Sequence, residues 1–252
     1  MLSNSFTKWI VYGALILLTM PLVVWFCDWL WTPNEDNPLL IVLFWATETA
    51  SSPWGAITSA ILALWFVWRM QLPVKRGIAL IAILAVAIVG GQVVKSIVKE
   101  TVEEPRPFVL WLEDEYQVDD QFFYSLPRKE RAKIVEQHLK GQKRVPAWLS
   151  KHWEQETGYS FPSGHTLFTA TWALLGMGML VPRRRYISAA VLMIWAVTVA
   201  GSRLLLGMHW PEDLIVSILL SVICAFWACW SAERWIFSSP EISPILLKKC
   251  EE

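Results

Sequence analysis

Three short segments of this sequence gather residues that could hold and transfer an anion. They are Lys99 with Arg106 and Pro107, then Pro162-Ser163-Gly164-His165, then Ser202-Arg203 with His209 and Asp213. Phosphoryl transfer asks a protein mainly for positioned donors around the equatorial oxygens. Two histidines, three cations and one acid meet that need, and this chemistry calls for no metal ligand set and no cofactor. His209 and Asp213 are four residues apart, so the carboxylate can accept from Nδ1–H and leave Nε2 as the nucleophile. Arg203 offers a planar fork to a phosphate. Pro162 suits the first turn of a helix. The small Ser163 and Gly164 leave backbone amides open there, with the Ser163 hydroxyl as a further donor at the positive end of the helix dipole. His165 follows one position on. Pro105 and Pro107 hold the chain extended around Arg106, which joins Lys99 as a second cation.

These segments must be brought together by elements suited to lipid. Of 252 residues, 55% are hydrophobic and only 17% charged, too apolar for an ordinary soluble domain. The net charge is zero, so nucleic acid is not indicated as a partner, while 17 Trp suit membrane interfaces. About 20 apolar residues are needed per crossing, and six candidates emerge: about 8–27, 53–71, 76–99, 162–181, 186–206 and 211–232. The expected fold is therefore an all-α integral membrane protein of six transmembrane helices, one domain over 1–252. A small helical cap over about 100–160 lies between helices 3 and 4. Ile134, Val135 and Leu139 form an apolar face in that cap, and the piece around Leu39 to Trp45, too short to span, is expected along the interface.

Lys and Arg concentrate on cytoplasmic connections. Arg69, Lys75 and Arg76, then Arg183, Arg184 and Arg185, then Arg234 mark those ends, together with a tail over about 233–252. The cap, the link near Asn34, Glu35 and Asp36, and all three anion-binding segments fall on the other side, the periplasm of a bacterial inner membrane. Cys27, Cys224, Cys229 and Cys250 show neither CxxC pairing nor histidine neighbours at metal-binding spacing, and Cys224 and Cys229 read as small apolar side chains.

KETVEEPRP, PSGH and SRLLLGMHWPED together resemble the three signature motifs of the type 2 phosphatidic acid phosphatase superfamily, met in order and without departure. The resemblance implies a phosphohistidine on His209, oriented by Asp213. It also implies His165 as the acid that protonates the leaving alkoxide, and Lys99, Arg106, Ser163, Gly164 and Arg203 as phosphate ligands. The implied partners are a lipid phosphate and the bilayer, with no obligatory protein partner. Phosphatidylglycerophosphate is the leading substrate, and undecaprenyl pyrophosphate, phosphatidic acid and lysophosphatidic acid are further ones. A dedicated undecaprenyl pyrophosphatase is the nearest rival, and a protein that binds or transports anionic lipid without chemistry is the rival from another class.

Several residues invite a plainer reading. Lys99 and Arg106 would also serve as interface anchors. His138 and His152 are expected as solvated cap residues, and Glu103, Glu104, Glu113, Asp114 and Glu115 as a solvated acidic face. Glu48 borders the membrane, with a partner that spacing does not reveal.

Overall fold

The computed structural model describes residues 3–33, 37–142 and 144–238. Asn34, Glu35, Asp36, Lys143, Cys250 and the rest of the tail beyond 238 lie outside the described residues. Among the described residues every regular element is helical.

The helix α9 (Gly164–Leu175) occupies the centre. Its apolar run continues through a π-helical turn, Gly176–Leu180, to Arg183, and 89% of its best spanning window is buried against 28–56% in the other long helices. Around it pack α10 (Tyr186–Leu205), α11 (Pro211–Ala232), α1 (Ser3–Phe26) and α4 (Val74–Val102). Close approach is enforced at Gly178, where a Cβ would stand 2.5 Å from Cys229 Sγ and 3.1 Å from Ile10 Cγ1. The outer faces remain apolar: Leu15, Val74, Ile187 and Ile223 are exposed. Such an all-round apolar helix surface suits lipid rather than water.

Five segments are long and apolar enough to cross a membrane: Ser5–Phe26, Val74–Tyr116, Gly164–Arg183, Tyr186–Leu205 and Pro211–Phe237. The second of the six expected crossings is α3 (Trp54–Arg69), which has only 16 residues. At 1.5 Å per residue that is about 24 Å, short of an apolar layer of roughly 30 Å. Pro53 precedes it, and Gln71 in a left-handed turn with Pro73 beyond ends it, so neither end can be extended. The piece around Leu39 to Trp45 is α2 (Leu39–Glu48), which packs on α10 and lays Leu40 and Leu43 into the core of the cap.

The cap comprises α5 (Pro107–Tyr116), α6 (Asp120–Ser125), α7 (Arg128–Leu139) and α8 (Ala147–Gln155). Val135 and Leu139 are buried as expected, with Ile134 against them. The centre of this second core is Trp153, stacked on Phe108 at 4.8 Å and donating Nε1–H to the Leu206 carbonyl at 2.9 Å. The cap is thereby fastened to the turn between α10 and α11. Trp153→Ala is expected to destabilise the protein by about 3–5 kcal/mol through the lost burial and the cavity left behind. A fall in melting temperature of the detergent-purified protein checks this.

Burial of α8 also corrects the expectation for His152. It is 3% exposed rather than solvated, because Leu149 and Trp153 on the same helix draw that face into the core. His138 is half-buried, with Nδ1 2.8 Å from the Ile134 carbonyl.

Candidate active site

The turn after α10 is shaped by its own backbone. Gly207 lies at φ +68, Gly207 N–H donates to the Leu204 carbonyl and Met208 N–H to that of Arg203, each at 3.0 Å. This double closure needs the left-handed residue that glycine supplies. A Cβ there would also stand 2.5 Å from the Trp31 ring, whose Nε1–H satisfies the Leu205 carbonyl. Pro211 opens α11 at its first position, and Asp213 in that first turn accepts the Trp210 N–H at 3.0 Å. His209 is held between these two helix ends.

Asp213 Oδ2 is 2.8 Å from His209 Nδ1, so Nδ1 carries the proton and Nε2 keeps its lone pair. Nε2 lies 3.5 Å from Arg106 Nη1. Burial foremost, then the charges of Arg106, Arg203 and Lys99, hold His209 well below the usual histidine range, so the ring stays neutral. An oriented, neutral imidazole facing a guanidinium has the geometry that attack on an anion requires.

Arg106 is 4% exposed and held on every side: Nε–H donates to the Gly158 carbonyl at 2.6 Å, Nη1 to that of Met208 at 3.0 Å, and its backbone N–H to the Tyr124 hydroxyl. That burial sets aside the interface-anchor reading for Arg106. Lys99, at the end of α4, donates to the carbonyls of Tyr159 and Ser160 on the approach to α9. The α9 start differs from expectation in one respect. Ser163 is the N-cap, with Oγ accepting the Thr166 N–H at 3.4 Å, and Pro162 precedes it after a cis peptide bond instead of lying in the first turn. The hydroxyl proton of Ser163 stays available as a donor. At Gly164 a Cβ would meet Lys95 Cδ at 3.0 Å, so the helix start and α4 touch there.

Arg203, Ser163 and Asp213 are fully buried rather than open to the cavity. Arg203 Nη2 donates to Glu156 Oε2 at 2.9 Å and Nη1 is 3.1 Å from His152 Nε2. The same Glu156 oxygen lies 3.4 Å from Arg106 Nη2, and Oε1 lies 3.4 Å from His165 Nε2. A carboxylate therefore occupies the point on which Arg106, Arg203 and His165 converge. Burial alone would raise the Glu156 carboxyl, but Arg203, His165 and Arg106 outweigh it and hold the group well below its usual range. His152 is pushed down to about 4 by burial and by Arg203. Sequence reading missed Glu156 and His152, because nothing in the cap distinguished them from other acids and histidines.

Lys99, Arg106, Glu156, His165 and His209 line a cavity of about 890 Å³ that runs down between α3, α4 and α9 to Ala63, Leu84, Ile88 and Trp172. Its polar end suits an anion and its apolar end suits hydrocarbon. Elsewhere, Glu113, Asp119 and Asp120 bring carboxylate oxygens within 4.8 Å of one another on the cap, away from these residues.

The PAP2 superfamily pattern matches residues 79–237, which include all three segments. The chain belongs to the PAP2 superfamily. Among PAP2 proteins it is 49% identical to phosphatidylglycerophosphatase B of Escherichia coli over 231 residues, 92% of this chain and 91% of that protein. It is 35% identical to phosphatidylglycerophosphatase B of Haemophilus influenzae over 224 residues, 84% of this chain and 92% of that protein. A putative undecaprenyl-diphosphatase of E. coli is 38% identical over 74 residues, only 29% of this chain and 33% of that protein.

Proposed function

We propose that the protein is a membrane lipid phosphatase that hydrolyses phosphatidylglycerophosphate to phosphatidylglycerol and phosphate through a phosphohistidine on His209. The observation that carries this is the Asp213–His209 pair: Nδ1 is bonded at 2.8 Å and Nε2 turned to Arg106, at the polar end of a cavity whose other end is apolar. The names of the two long-matching relatives favour this headgroup. Undecaprenyl pyrophosphate, phosphatidic acid and lysophosphatidic acid present the same terminal phosphate and are further substrates in this reading. The short match to a putative undecaprenyl-diphosphatase supports the first of them.

In the first displacement His209 Nε2 attacks phosphorus in line while His165 protonates the leaving alkoxide. In the second, water attacks the phosphohistidine and His165 takes its proton. Arg106, Arg203, Lys99, the Ser163 hydroxyl and the Gly164 amide neutralise the phosphoryl oxygens. An incoming phosphate oxygen takes over the position that Glu156 Oε2 holds between Arg106 and Arg203.

The whole chain is one membrane domain in this proposal, with α3 as a sixth crossing where the bilayer thins locally around the short helix. Arg69, Arg76, Arg183 and Arg234 lie at the other ends of the helices from the site, and this bias of cations supports the reading of a site on the periplasmic face of a bacterial inner membrane with a cytoplasmic tail.

The test is phosphate release by detergent-purified protein in EDTA, offered phosphatidylglycerophosphate and undecaprenyl pyrophosphate in parallel. Release from the first, dependent on His209, is expected. Faster release from the second would make the protein chiefly an undecaprenyl pyrophosphatase, and release from neither would favour an anionic-lipid binder. The rate should also fall on both sides of a pH optimum. Because His209 stays neutral, the acid limb lies well below pH 6.5. A flat profile from about pH 5 to 9 would contradict this division of roles.

A further inference from the structure

We propose that Glu48 and Ser51, in the segment where α2 ends, form a relay that orients His165, doing on the acid side of the reaction what Asp213 does for His209. The proposal rests on the phosphatase reading above.

Ser51 Oγ lies 3.1 Å from Glu48 Oε1 and 3.0 Å from His165 Nε2. A hydroxyl has one proton and an ionised carboxylate only accepts, so Ser51 donates to Glu48 and its lone pairs face the ring. The competing acceptor, the Thr47 carbonyl, is neutral and farther at 3.4 Å, and a bond to a charged acceptor is the stronger. The second neighbour of Nε2 is Glu156 Oε1 at 3.4 Å, again an acceptor. Both contacts require a proton on Nε2, which leaves Nδ1 as the atom that meets the leaving oxygen.

The relay is held rigidly. Gly55 N–H donates to the Ser51 carbonyl at 2.6 Å, Thr58 Oγ1–H to that of Thr49 at 2.8 Å, and Trp195 Nε1–H to Thr49 Oγ1 at 2.9 Å. Helices α3 and α10 thus fix the segment, and Glu48 Oε1 stands 3.8 Å from His152 Nδ1 of the cap. Glu48, Ser51 and His165 all line the cavity.

In the first step His165 is an imidazolium, with Nε2–H donated to Ser51 and Nδ1–H at the ester oxygen. As the bond from His209 Nε2 to phosphorus forms and the ester P–O bond breaks, the alkoxide takes the Nδ1 proton and leaves as the alcohol. His165 becomes the neutral Nε2–H tautomer, still bonded to Ser51. In the second step its Nδ1 lone pair removes a proton from the water that attacks phosphorus, the P–N bond breaks, and the imidazolium returns. Glu48 stabilises that imidazolium through the Ser51 dipole. Arg203 and Arg106, on the far side of Glu156, oppose it.

The test uses full-length protein in detergent with Ser51→Ala, Glu48→Gln and the rescue variant Ser51→Thr. Two substrates are compared: phosphatidylglycerophosphate, whose alkoxide needs a proton, and p-nitrophenyl phosphate, whose phenolate departs without one. Ser51→Ala and Glu48→Gln are expected to lower kcat on the lipid by about 10- to 100-fold with KM little changed, and, in single-turnover measurements of phosphohistidine formation, the step in which only the alkoxide needs a proton, to lower the ratio of lipid to aryl rates at least about tenfold. Ser51→Thr should restore the ratio. In protein labelled with ¹⁵N-histidine, the His165 ring, assigned by its loss in His165→Ala, should report the Nε2–H tautomer in wild type and lose that preference in Ser51→Ala. Equal loss on both substrates, or a His165 ring unchanged in both variants, would overturn the relay. A wild-type protein that releases phosphate from neither substrate would instead overturn the phosphatase reading, and the ring measurement then judges the relay by itself.

Discussion

Phosphate release by the His209→Ala variant is expected to fall by at least about 10⁴-fold, the scale seen when a covalent nucleophile is removed. The loss follows from geometry. Nε2 is the lone pair that Asp213 orients and Arg106 faces. Folding should survive, because Asp213 Oδ2 still accepts the Trp210 N–H and the Gly207 turn closes through backbone alone. The check is turnover alongside melting temperature and an acid-labile phosphoryl label. Wild type should trap the label and His209→Ala should not, with a melting temperature lowered by the lost Asp213 partner but a cooperative transition that shows the variant folded. Retained release in the variant would sink the covalent route.

Arg203→Ala should be damaging in both stability and rate. Arg203 is fully buried and is bonded to Glu156 at 2.9 Å and His152 at 3.1 Å. Its removal takes the nearer of two guanidinium partners from Glu156, leaving Arg106 at 3.4 Å, and opens a buried cavity, at a cost below the roughly 3–5 kcal/mol of a fully orphaned buried charge. Loss of a preformed donor to the developing phosphoryl charge lowers kcat by about 10²–10³-fold in addition. Arg203→Lys should recover part of the rate and little of the stability, since an ammonium cannot bridge two partners as the planar fork does. Pairing Arg203→Ala with Glu156→Gln tests the source of the instability: with no carboxylate left to orphan, the double variant should melt above Arg203→Ala alone. If it melts lower by the sum of the single losses, Glu156 stabilises the cap independently of Arg203.

The pairing of His209 with Asp213 was readable before any fold was known. His209 and Asp213 sit one helical turn apart, Gly207 and Pro211 punctuate the chain on either side, and both the proton on Nδ1 and the turn follow from that local order. The long apolar runs were equally legible, because a crossing helix must satisfy its backbone internally over a set length. Local rules erred at Pro162, which precedes the N-cap Ser163 rather than lying in the first helical turn.

What only the tertiary structure decided is the company these residues keep. Ser51 reaches His165 across 114 positions of chain, Thr47 reaches Ser202 across 155, and Arg203 reaches His152 across 51. No spacing announces such partners, because they depend on which face of α8 enters the cap core and how α2 lies on α10. Glu156 illustrates the difference: in sequence it is one acid among many, and in the fold its carboxylate is the counter-charge that two buried guanidinium groups require.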